Sequence, residues 1–145
     1  MATYEIALED KYAYINNQGY ILEITETKLE VPTITGCVTE NIETGKRLDE
    51  VDLKKLNTVI QIQKAAEEKG LDKKITNINI ENGRDFLITM ESENKLIHFG
   101  DSSNINDKFI NINAVLKDTV GQKGEIFVKD LNKVFFREDF REEGV

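Results

Sequence analysis

His98 is the only histidine in the sequence and Cys37 the only cysteine. A general base needs a second group to orient it, and a nucleophilic thiol needs a base and a lowered pKa. One histidine cannot serve every such role. With His98 beside Phe99 on an expected strand, and Cys37 in a Gly-Cys-Val strand-like context, both read as structural or surface residues. Carboxylates are plentiful, but a glycosidase-like pair must face across a cleft at a set separation. Glu40/Glu43, Glu67/Glu68 and the Glu138, Asp139, Glu142, Glu143 run fall on loops, a helix face and the tail. Charge of that kind is usually a solvated face. No Asp-x-Asp-x-Asp-Gly loop marks a calcium site, and neither a metal nor a cofactor is expected. Gly100-Asp101-Ser102-Ser103 precedes a helix and has the outline of an anion cradle. Its single glycine and the charge of Asp101 favour a plain strand–turn–helix junction.

The elements that would position these residues fit within one domain. A chain of 145 residues buries enough surface to build one core. Its apolar and charged fractions, 39% and 32%, suit a globular protein rather than a disordered one. The net charge of −8, without a basic stripe, argues against phosphate backbones and anionic bilayers as partners. One cysteine excludes an internal disulfide framework. No apolar run is long enough to span a membrane and no signal-peptide pattern opens the chain. Met1-Ala2-Thr3 is compatible with an added start that hides an upstream anchor. The abundance of isoleucine and asparagine reads as codon bias of an AT-rich genome.

Tyr4, Ile6 and Leu8 alternate with Glu5, Ala7 and Glu9, a strand period. Tyr12–Ile15, the turn 16–19 and Tyr20–Ile24 make a hairpin. Pro32 sets Val31–Gly36 as extended, but not as a central ladder strand. Residues 52–69 carry a helical stripe through Leu53, Leu56, Ile60 and Gln63, widened by Val59, Ile62 and Ala66, with Asp52 as N-cap and Gly70 after the last turn. Ile75–Glu81, Asp85–Met90 and Lys95–Phe99 form a meander. Ile105, Phe109, Ile112 and Leu116 share one face of a second helix over 104–120, with Ser103 or Asn104 at its cap. Glu125–Leu131 and Val134–Arg137 close the pattern. The fold expected is α+β, a mostly antiparallel sheet with two main helices laid on it.

Several segments in this order resemble the β domain of the FtsQ/DivIB family of cell-division proteins. They are Glu5–Ile15, Gln18-Gly19-Tyr20-Ile21-Leu22, Val31-Pro32-Thr33-Ile34-Thr35-Gly36, Ile97–Asp101 with Lys108-Phe109, and Gly124–Val128 with Lys133–Phe136. The departures are a missing Asp in the first hairpin and Val128-Lys129 where an Asp is common. The resemblance implies residues 1–15 as the end of a POTRA junction with the opening strands, 16–137 as the β domain, and 138–145 as a polar tail expected to fray. It implies a non-enzymatic scaffold on the extracytoplasmic face of the bacterial cell membrane at the septum, in a single-pass parent chain. Its partners would be FtsL and the FtsB/DivIC-type coiled-coil proteins.

In that family the C-terminal strands contribute to the partner site, and the matching residues are Phe127, Val134, Phe135, Phe136 and Arg137. Strand alternation puts Phe135 and Arg137 on one face and Val134 and Phe136 on the other. Either both phenylalanines are core, under a helix, or one faces outward and the edge accepts a strand from another chain. Arg137 beside an aromatic has the composition of an interface hot spot. The rival is a secreted or surface ligand-binding module, which a deep apolar pocket would favour. An enzyme ranks third, and two acids converging in a cleft would revive it.

Overall fold

The computed structural model describes residues 2–139, so the expected tail beyond Asp139 lies outside the described residues. Nine strands form one sheet: β1 (Tyr4–Ala7), β2 (Tyr12–Ile15), β3 (Ile21–Thr25), β4 (Thr33–Thr35), β5 (Asn77–Asn79), β6 (Phe86–Met90), β7 (Lys95–Gly100), β8 (Gly124–Phe127) and β9 (Phe135–Glu138). Helix α1 (Glu50–Glu68) joins β4 to β5 and α2 (Ile105–Asp118) joins β7 to β8. The sheet order is β3-β2-β1-β4-β5-β6-β7-β8-β9.

Seven of the isoleucines share one cross-strand row. Ile24, Ala13, Ile6, Ile34, Ile78, Ile88, Ile97, Ile126 and Phe136 are paired neighbour to neighbour across all nine strands. The seven from Ala13 to Ile126 are fully buried, and Ile24 and Phe136 at the ends are partly buried. A β-branched side chain suits the pleat, and each buried isoleucine contributes roughly 1.5–3 kcal/mol of transfer free energy. Leu56, Val59, Ile62 and Ala66 of α1 and Phe109, Ile112 and Leu116 of α2 join the same core.

The α+β class stands as expected, and β5-β6-β7 is the expected antiparallel meander. The sheet is mixed, however: β1/β4, β4/β5 and β7/β8 run parallel. A helix between two neighbouring strands returns the chain to the same end of the sheet, so the α1 and α2 crossovers make β4/β5 and β7/β8 parallel.

β4 corrects the sequence expectation. It lies inside the sheet between β1 and β5, because Pro32 stops one residue short of it. The missing N–H is not needed there, while the Pro32 carbonyl still accepts from Glu5 N–H at 3.0 Å. Helix α1 also starts earlier than expected. Asp49 is its cap, accepting from Val51 N–H at 3.0 Å. Asp52 lies inside the first turn, buried, and accepts from Val38 N–H at 2.8 Å, tying the preceding loop to the helix. Asn104 takes the cap position of α2 without a side-chain capping bond.

Candidate partner-binding edge

β9 is the last strand of the sheet among the described residues. Its pairing with β8 is Phe135↔Phe127, Phe136↔Ile126, Arg137↔Glu125 and Glu138↔Gly124. Gly124 N–H and Val128 N–H point toward β7, donating to Asn94 O and His98 O at 3.1 Å each. Alternation therefore aims the backbone groups of Glu125 and Phe127 at β9. Asp139 N–H donates to Lys123 O at 2.7 Å in the same phase. Phe135, Arg137 and Asp139 thus bond inward to β8. Phe136 and Glu138, with Val134 just before the strand, turn their N–H and C=O groups away from the sheet.

The outer face of this edge is aromatic. The His98 ring stacks on Phe127 at 4.2 Å between centroids, and Phe127 stacks on Phe135 at 4.4 Å. The row thus runs across β7, β8 and β9. Phe135 is 51% exposed. The Arg137 guanidinium lies 5.1 Å from the Phe127 centroid and pairs with Glu125, whose other oxygen lies 2.8 Å from His98 Nε2. The hydrogen bond from Arg137, then that from His98, holds the Glu125 carboxyl below the usual glutamate range.

The inner face anchors the strand. Phe136 packs against the core, with the Lys95 ammonium 5.6 Å from its ring centroid. That ammonium is buried and donates to the carbonyls of Glu93 at 2.9 Å, Thr119 at 3.1 Å and Gln122. Desolvation lowers its pKa. Gly124 makes the close approach possible: a Cβ there would lie 2.4 Å from Arg137 O and 2.7 Å from the Phe136 ring.

The opposite edge differs. β3 is partly covered by its own chain, with Ile21 N–H donating to Lys46 O and Gly45 N–H to Ile21 O at 2.8 Å each, and a bridge pairing Tyr20 with Arg47.

The five residues expected at the partner site are brought together as two layers. Phe127, Phe135 and Arg137 lie outside; Phe136 lies inside; Val134 is half-buried against the core. β9 runs through Glu138, one residue beyond the expected end. Sequence reasoning missed Glu125 and His98 as members of the cluster. Glu125, two positions before Phe127, carried an alternation signal; His98 became a neighbour only through the parallel β7/β8 pairing.

Two other candidates offered by the sequence, Cys37 and Asp101, sit in structural surroundings. Burial, then the charge of Asp52, pushes the Cys37 thiol up to about 12, far from a nucleophile's range. Asp101 accepts from Ser103 N–H at 3.0 Å and from the Ser103 hydroxyl, with Lys108 Nζ at 3.4 Å. These bonds hold its carboxyl at about 2 and fill the junction before α2. A hollow of about 760 Å³ opens at the starts of β1, β4 and β5, lined in part by Lys28, Glu30, Gln63, Asp72, Lys73 and Glu91. Tyr4, Val31, Pro32 and Ile75 also line it, so the hollow is of mixed polarity.

The profile of the family described as FtsQ/DivIB, C-terminal related, matches residues 4–135. This chain belongs to that family. The FtsQ/DivIB match spans β1 through the first residue of β9, so it takes in the sheet and both helices, with Phe136 and Arg137 just past its end. The chain is a domain of the cell-division type, and FtsQ/DivIB proteins are non-enzymatic, membrane-anchored division proteins with an extracellular domain. No helix among the described residues is long and apolar enough to cross a membrane. No curated protein and no solved structure matches the chain significantly.

Proposed function

We propose that this FtsQ/DivIB-type domain is a docking module of the division complex, which accepts a strand of a partner protein against β9. One observation carries the reading: among the described residues the sheet ends on a strand with outward backbone groups at Phe136 and Glu138, beside exposed Phe135 and Arg137. Main-chain bonds to such an edge supply affinity, and the alternating side chains supply specificity. The stack His98–Phe127–Phe135 gives the incoming chain a flat apolar surface, and Arg137 adds a charge at its border. The partners would be FtsL with the FtsB/DivIC-type coiled-coil proteins, and the module would work on the extracytoplasmic face of the membrane at the septum.

The test is the affinity of that partner pair for Phe135→Ala and Arg137→Ala, with folding checked by circular dichroism. Each folded variant should weaken binding at least tenfold, about 1.4 kcal/mol. Unchanged affinity in both would remove this site.

A further inference from the structure

We infer that β9 also pairs with β9 of a second copy of this chain, antiparallel about a two-fold axis at Phe136, so that self-association occludes the docking edge. The inference rests on the same open edge as the proposed function, but not on the identity of any division partner.

The register follows from the backbone phase. Val134, Phe136 and Glu138 carry the outward groups. A two-fold axis at Phe136 sets Phe136 against Phe136 and Val134 against Glu138, in both directions. Every outward group then meets another, giving about six hydrogen bonds, two for each hydrogen-bonded pair. The side chains agree with this arrangement. Phe135 falls opposite Arg137 of the second copy, twice. Arg137 already sits over an aromatic ring in its own chain, Phe127 at 5.1 Å, so the same preference extends across the axis. At the flanks Lys133 falls opposite Asp139, which also interacts within its own chain. No like charges directly oppose one another from 133 to 139.

The two-fold itself closes the pairing, since both copies use the same edge, and the other edge of the sheet is partly covered. Head-to-tail growth would require β9 of one copy to meet β3 of the next, but the Gly45–Arg47 segment already covers β3 at Ile21. The self-complementary edge therefore gives an isologous dimer rather than a filament. A four-residue strand on each side makes a small interface, of the class that associates weakly and reversibly.

The closing experiment has two arms. Sedimentation equilibrium of the wild-type chain from about 10 µM to about 1 mM, the range of weak interfaces, should show a concentration-dependent dimer. In a Cys37→Ser background, Phe135→Cys and Arg137→Cys are then mixed under oxidation. Directly opposed residues of a non-hydrogen-bonded pair lie with Cα atoms about 4.5 Å apart, within disulfide reach. The mixture should yield a covalent heterodimer, and each variant alone should not cross-link. A monomer throughout the concentration series overturns the inference. So does a dimer in which single variants cross-link as readily as the mixture, or in which nothing cross-links. If the partner pair binds β9 and the wild type stays monomeric, this inference alone fails. If the dimer forms but Phe135 and Arg137 do not affect partner binding, the proposed function alone fails.

Discussion

Glu125 accepts from Arg137 on one oxygen and lies within hydrogen-bond distance of His98 on the other, and so links the edge strand to the two strands behind it. Its folded pKa is depressed, mainly by Arg137 and next by His98. A depressed carboxylate contributes stability above its unfolded value, about 4.3, and that contribution is lost as pH falls through the folded value. The pair is partly exposed, so its worth is at most about 1 kcal/mol. In Arg137→Ala, a carbon-detected NMR titration should move the Glu125 midpoint up toward the ordinary glutamate value. An unmoved midpoint would show that Arg137 does not hold the carboxylate. Legibility at this scale was uneven. The two faces of β9 followed from strand alternation alone, because a period of two depends only on the local backbone. Glu125 and His98 entered the cluster through contacts between strands distant in sequence, and no local pattern states those.

At the scale of elements, β9 depends on one position of β8. Gly124 has no side chain, and the space a Cβ would take is filled by Arg137 O and the Phe136 ring. Gly124→Ala should therefore loosen the far end of β9, at the 1–3 kcal/mol typical of overpacking. Hydrogen exchange should quicken at Arg137 and Asp139 while Ile88 and Ile97 stay protected. Equal protection at all four would mean that β9 has another anchor. The helices were readable because apolar spacing in a helix is repeated over several turns. Their starts were less so: Asp49 and Asp52 both suit a cap, and only the loop bond to Val38 sets them apart. β4 was misplaced because proline constrains its own position, whereas the ladder begins one residue later.

On the scale of the whole molecule, the sheet buries one face under two helices and leaves its two edges unequal. The β3 edge is partly occupied by its own chain and the β9 edge carries exposed aromatic and arginine side chains. The α+β class was visible in the order of elements. The parallel pairs were not, because hairpin logic sees only neighbours joined by short turns, and a helical crossover can return beside either edge of a growing sheet. The central claim is that β9 accepts a strand, and amide hydrogen exchange tests it most directly. In dilute protein saturated with the FtsL and FtsB/DivIC-type pair, the outward amides of Phe136 and Glu138 should become protected. The amides of Phe135 and Arg137, already bonded to β8, should change little. Outward amides that exchange equally fast with and without the partner, or protection that appears along β3 instead, would contradict the account.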